Sequence, residues 1–221
     1  MRKYFAEFMG TFMLVFIGTS VVTIGNTTAT PVGPLGIGMA FGLVITIMAI
    51  TVGGISGGHF NPAVTLAMVI NRRLDMREGL FYVVSQFIGG IVGAGVVSLL
   101  VRAMHLPVHL LGQTDFPKIT SIDAFFVETL ATFIFVFVIV TVTSQRFGNP
   151  QLAPFAIGLT LAILIMATLN LTGASLNPAR SFGPAILAGG SALSHYWVYF
   201  VAPLLGGAIA SFVGILMGAE K

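Results

Sequence analysis

The chain has 221 residues, of which 56% are hydrophobic and only 8% are Asp, Glu, Lys or Arg, with a mean hydropathy of +1.00. A soluble domain carries about 25% charged residues, so this composition excludes a wholly water-facing surface and specifies one that faces lipid. The lack of cysteine excludes disulfides, thiolate metal ligands and a thiol nucleophile, and the net charge of +3 is no nucleic-acid signal, because the basic residues fall where membrane topology puts them.

Met1, Arg2 and Lys3 lead straight into a long apolar run with no small-residue cleavage pattern, so the first span is expected to stay in the protein. Six full spans are expected, at 4–24, 35–53, 79–101, 124–144, 151–171 and 196–217, each near the ~20 residues needed to cross the hydrocarbon core. Two further apolar stretches, 61–70 and 177–187, are too short to cross and have the length of re-entrant half-helices. Segment 103–123 reads as an outside loop with solvated histidines; Pro107 between His105 and His109 argues against a helical metal pair. With the N-terminus inside, Arg2, Lys3, Arg72, Arg73, Arg77, Arg146 and Lys221 lie on the cytoplasmic side, against Arg102, Lys118 and Arg180 elsewhere. That bias puts both termini on the cytoplasmic side, and the expected location is the plasma membrane.

The sequence also repeats itself. When Glu7 is laid on Glu128, Pro34 falls near Pro154, Asn61-Pro62-Ala63 near Asn177-Pro178-Ala179, and Gly89-Gly90 near Gly206-Gly207, in one order and at spacings of 116 to 121 residues. The expected organisation is one domain, 1–221, with halves of about 1–102 and 124–221 joined by an outside linker of about 103–123. Three spans per half force the second half to enter the membrane upside down. The predicted fold is therefore all-α, with six transmembrane helices, two re-entrant half-helices, an inverted-topology repeat and a functional site near the midplane where the halves meet.

The most informative stretches are Gly57-Gly58-His59-Phe60-Asn61-Pro62-Ala63 and Gly173-Ala174-Ser175-Leu176-Asn177-Pro178-Ala179. Each joins a glycine-bearing loop to an Asn N-cap and a Pro at the first helical position. One such box is a common cap; two in equivalent places of an inverted repeat have a joint explanation in a pore. Arg180 is the one charge between Phe147 and Ala219, and a charge at that depth must line water or be paired. Glu7 and Glu128 are repeat partners with no nucleophile or metal cluster beside them. They are expected to accept hydrogen bonds from the non-helical backbone of the re-entrant loops, which cannot be left bare in lipid. His59 reads as loop-fixing or pore-lining, the paired glycines as close-packing faces, and Tyr196, Trp197 and Tyr199 as interfacial anchors.

Both Asn-Pro-Ala boxes, the Arg after the second, and the Ala-Glu-Phe-x-Gly-Thr opening of the first span (Ala6 to Thr11) give the chain a resemblance to the aquaporin, or major intrinsic protein, family over essentially its whole length. The resemblance implies half-helices that meet at their N-termini, a homotetramer with one pore per subunit, and a narrow outer constriction formed by Phe41, Ile165, Ala174 and Arg180. Two helix N-termini meeting at the midplane would favour a water oxygen and repel a cation. Asn61 and Asn177 would each add a side-chain N–H donor, which turns the water's hydrogens outward and interrupts the proton wire.

The function so implied is a passive water channel that excludes protons and ions, with slow passage of small neutral solutes such as glycerol. It is no enzyme and needs no cofactor or metal. Water-selective members of the family typically place Phe, His, a small residue and Arg at the constriction, and glycerol facilitators Trp, Gly, an aromatic and Arg. This chain keeps the Phe and Arg of the first class and has Ile165 in place of the His. Ser181, Ala185 and Tyr199 also resemble the water class, and Phe200 departs from it. The alternatives are a broader glycerol-type facilitator and a secondary transporter, although only Glu7, Glu128 and Arg180 could serve a coupling-ion site.

Overall fold

The computed structural model describes residues 1–27 and 31–219; Lys221, assigned above to the cytoplasmic side, lies outside them. Its helices, in chain order, are α1 (Arg2–Thr23), α2 (Gly33–Ser56), α3 (Pro62–Ile70), α4 (Met76–Ala103), α5 (Ser121–Val142), α6 (Ala153–Thr172), α7 (Pro178–Ala188), α8 (Gly190–Ser194) and α9 (Tyr196–Leu216). The described residues contain no strand. Six of the helices, 20 to 28 residues long with mean hydropathy of 1.7 to 2.4, can cross a membrane, at about 30 Å or more of axial rise. The protein is a multi-pass integral membrane protein, with α3 and α7 as the two half-helices.

Helices α2 and α4 run further at both ends than hydropathy reaches, and α5 starts three residues earlier. Helix α4 begins at Met76 because Asp75 caps it, accepting from the amides of Arg77 (2.9 Å) and Glu78 (3.4 Å). Helix α5 begins at Ser121 through a reciprocal cap between Thr120 and Asp123. Charged residues in these first turns lower local hydropathy without ending the helix. The short α8 was not foreseen.

Lipid-like solvent gives helices no hydrophobic reason to associate, so close packing of small residues holds them. A Cβ on Gly89 of α4 would lie 2.5 Å from the Phe8 carbonyl of α1, and one on Gly206 of α9 would lie 2.3 Å from the Thr129 carbonyl of α5. The same internal symmetry therefore governs both pairs. Large apolar side chains such as Leu43, Ile47, Phe126, Leu159 and Phe212 remain exposed on the outside. At one end of the bundle Lys3 pairs with Glu78 at 2.9 Å. There Arg73 also ties the end of α3 to that of α5, donating to Asn71 Oδ1 and Thr143 Oγ1 (each 2.9 Å), to the Val140 carbonyl (2.8 Å) and to the Ala219 carbonyl.

Tyr199 corrects the sequence reading. It is fully buried, its hydroxyl donating to the Thr172 carbonyl at 2.7 Å, and is no interfacial anchor. Its repeat partner Tyr82 does the same to the Ser56 carbonyl at 2.8 Å. Trp197 is half exposed, and Tyr196 is partly buried with its hydroxyl on the Pro178 carbonyl at 3.2 Å.

Candidate functional site

The loops before α3 and α7 fold alike because each must turn back at mid-depth. Gly57 and Gly173 end the preceding helices in the left-handed region, at φ 95° and 73°. Phe60 (φ 52°), Ala174 (φ 51°) and Leu176 (φ 55°) also sit there despite their Cβ atoms, at a cost of about 1 kcal/mol or more each. Buried carboxylates oppose that cost. Glu7 accepts from the Ser56 hydroxyl (2.6 Å), the amides of His59 (3.0 Å) and Phe60 (2.7 Å), and Gln86 Nε2 (2.7 Å). Glu128 accepts from the Thr172 hydroxyl (2.6 Å) and the amides of Ser175 and Leu176 (each 2.9 Å).

The left-handed turns point the loops into their caps. Asn61 Oδ1 accepts from the Ala63 amide at 2.9 Å; Asn177 Oδ1 accepts from the amides of Ala179 (3.0 Å) and Arg180 (3.2 Å). Pro62 and Pro178 open the two helices and are buried. Ala63 and Ala179 are fully buried, and their carbonyls lie against Gly207 and Gly90, where a Cβ would come within 2.7 Å and 2.4 Å. Across the centre, Asn61 Nδ2 donates to the Leu176 carbonyl and Asn177 Nδ2 to the Phe60 carbonyl, each at 2.8 Å. One N–H of each amide is left without a protein acceptor among the described residues.

Phe41, Ile165, Ala174 and Arg180 line the same narrow cavity as Asn61 and Asn177. Its volume is about 10 Å³, the room of roughly one water molecule. Arg180 is 2% exposed; its Cζ lies 5.0 Å from the Phe41 ring centroid and its Nη1 donates to the Gly112 carbonyl at 3.2 Å. Arg180 Nε meets no partner among the described residues. A second, wider cavity of about 670 Å³ has His59, Val64, Arg73 and Tyr82 in its wall and shares Ile45 with the narrow one. His59 Nδ1 lies 3.1 Å from Thr65 Oγ1.

This geometry is accompanied by sequence kinship. The profile of the Major intrinsic protein family matches residues 1–214. The chain belongs to that family. It is 58% identical over 220 residues to glycerol uptake facilitator protein-like 6 of Lactiplantibacillus plantarum, covering 100% of both chains. It is 36% identical over 239 residues to aquaporin Z of Photorhabdus laumondii, covering 100% of this chain and 99% of the relative. The X-ray structure of the aquaglyceroporin from Plasmodium falciparum matches with a TM-score of 0.88 at 25% identity, over 96% of this chain and 94% of that one. Both solute classes are thus represented among relatives of this major intrinsic protein.

Sequence reasoning missed the groups that hold the loops from behind: Ser56, Thr172, Tyr82, Gln86 and the linker. Segment 103–123 is only partly the solvated loop expected. His105 and His109 are exposed, but Leu111, Gly112, Thr114 and Phe116 are buried. Asp115 fastens this strap to the α8–α9 corner, accepting from the Ser191 hydroxyl (2.5 Å) and the Phe116 amide (2.8 Å), with Oδ1 2.7 Å from His195 Nδ1. The His195 ring stacks on Phe116 at 4.2 Å. Burial pushes the Asp115 carboxyl up, but the bonds from Ser191, His195 and Phe116 outweigh it and hold the group below its usual range.

Proposed function

We propose that the chain is a passive channel, one domain of two inverted halves, that conducts water and, more slowly, small neutral polyols such as glycerol while excluding protons and ions. The carrying observation is the cavity of about 10 Å³ between Arg180 and the paired Asn61 and Asn177. Its one cationic wall and two spare amide donors satisfy a water oxygen, and the N-termini of α3 and α7 repel a cation there. Phe41 and Ile165 offer the rest of the neck no polar partner, so a solute that passes must fit a narrow slot and regain its hydrogen bonds at Arg180 and at loop carbonyls. Glu7, Glu128 and His59 hold the loops in place. In this reading the protein is no enzyme, its termini face the cytoplasm, and four copies assemble, as is typical of the family.

A glycerol-facilitator reading is favoured by the 58% identity to a relative named for glycerol uptake. Glycerol's carbon chain can lie on Ile165 and Phe41 while its hydroxyls face Arg180. Proteoliposome swelling with and without an imposed ion or proton gradient tests the passive reading. Swelling that needs the gradient would make the protein a coupled transporter.

A further inference from the structure

The two loops are held from behind by different means. In the first half, Gln86 of α4 donates from Nε2 to Glu7 Oε2 (2.7 Å) and to Thr65 Oγ1 (2.9 Å), and Thr65 meets His59. The repeat partners of Thr65 and His59 are Ser181 and Ser175, and Ser181 donates to Ser175 Oγ at 2.6 Å. The partner of Gln86 is Pro203, which has no donor to give. Thr114 of the strap fills that place, its hydroxyl donating to Ser181 Oγ at 2.9 Å. Ser175 then donates to the Asn177 carbonyl at 3.1 Å.

We infer that Thr114 is a positioning residue of the outer half of the pore: through Ser181 and Ser175 it fixes the loop that carries Ala174 and Asn177, and so sets how strictly glycerol is refused. The inference rests on the pore reading above. The hydroxyl row is buried from end to end, with Thr114 and Ser181 at 0% and Ser175 and Asn177 at 4% exposure, so no bulk water replaces a lost member. The same strap holds Arg180 through the Gly112 carbonyl and is fastened by Asp115 to Ser191 and His195. Two sides of the neck, the loop and the arginine, are thus registered against one strap of the linker. On the inner side the equivalent task belongs to a transmembrane helix.

The test uses the full chain in proteoliposomes, with water and glycerol permeability measured on the same vesicles for the parent, Thr114→Val, Thr114→Ser and Asp115→Ala. In Thr114→Val the glycerol-to-water ratio rises roughly fivefold, the factor that one buried hydrogen bond is worth, and Thr114→Ser returns to the parental ratio. Asp115→Ala unfastens the strap without touching the hydroxyl row and shifts the ratio the same way. A parental ratio in a folded Thr114→Val channel, or an equal shift in Thr114→Ser, overturns the inference. If Thr114→Val does not fold, Asp115→Ala decides: a raised ratio supports the inference and a parental one overturns it. A parent no more permeable to water than empty vesicles would instead sink the pore reading.

Discussion

Asn61 and Asn177 are locked to each other's loops, each donating one amide N–H at 2.8 Å to a carbonyl, of Leu176 and of Phe60, just ahead of its partner. The exchange ties the N-terminus of α3 to that of α7, so neither asparagine can rotate without breaking the opposite loop. Each amide's remaining N–H is thereby aimed by structure already fixed. A donor held in this way costs no reorganisation when a water arrives.

The acidic anchors should be costly to neutralise. Glu7→Gln and Glu128→Gln each turn one acceptor oxygen into an NH2 group facing donors, and at least one backbone amide of the loop loses its acceptor. Each variant should lose about 1 to 3 kcal/mol of stability, read as a lower thermal midpoint in detergent, with lower water permeability per folded channel. Unchanged stability in both would remove the carboxylates from the account of the loops.

Arg180→Val deletes the one cation of the neck and leaves Asn61 and Asn177 in place. The expected outcome is a measurable proton or cation leak with water flow retained, checked by dye-reported pH change and light scattering on one vesicle preparation. Lost water flow without any leak, in folded protein, would contradict the electrostatic role.

The chain has no cysteine, so mercurials should leave water flow unchanged in the parent. Ala174→Cys places a thiol on the wall of the neck, and mercury should then block flow. A treated Ala174→Cys channel that conducts normally would take Ala174 out of the constriction.

Much of this arrangement was legible in the sequence, because it repeats or is local. Asn61 and Asn177 stand as caps before prolines, and the length of the apolar run after each marks a half-helix. Thr114, Gln86 and Tyr199 were not legible as supports, since their partners are 67, 21 and 27 residues away. Hydropathy reads only neighbours. The strap sits among prolines and charges that locally resemble a solvated loop, and only the folded bundle buries Leu111 and Phe116.

Asp115 makes the latch between the strap and the α8–α9 corner pH-dependent. Its carboxyl titrates lower when folded than when unfolded, so its contribution is complete above the unfolded value of about 4 and is lost as pH falls through the folded value. The parent should be more heat-stable than Asp115→Ala near neutrality, and the gap should close on acidification, as the carboxyl takes up its proton. A gap that widens on acidification would reverse the assigned sign.

The central claim, that Phe41, Ile165, Ala174 and Arg180 form the step that sorts water from larger solutes, is tested most directly at Ile165. Stopped-flow water and glycerol permeabilities should be compared for the parent and Ile165→His in matched proteoliposomes. The parent should pass water rapidly and glycerol slowly but measurably. The imidazole adds bulk and a polar partner for water, so the glycerol-to-water ratio should fall, by roughly one power of ten for a change of 1 to 2 kcal/mol. Equal fluxes of the two solutes in the parent, or an Ile165→His channel with a higher ratio than the parent, would place the selective step elsewhere in the pore.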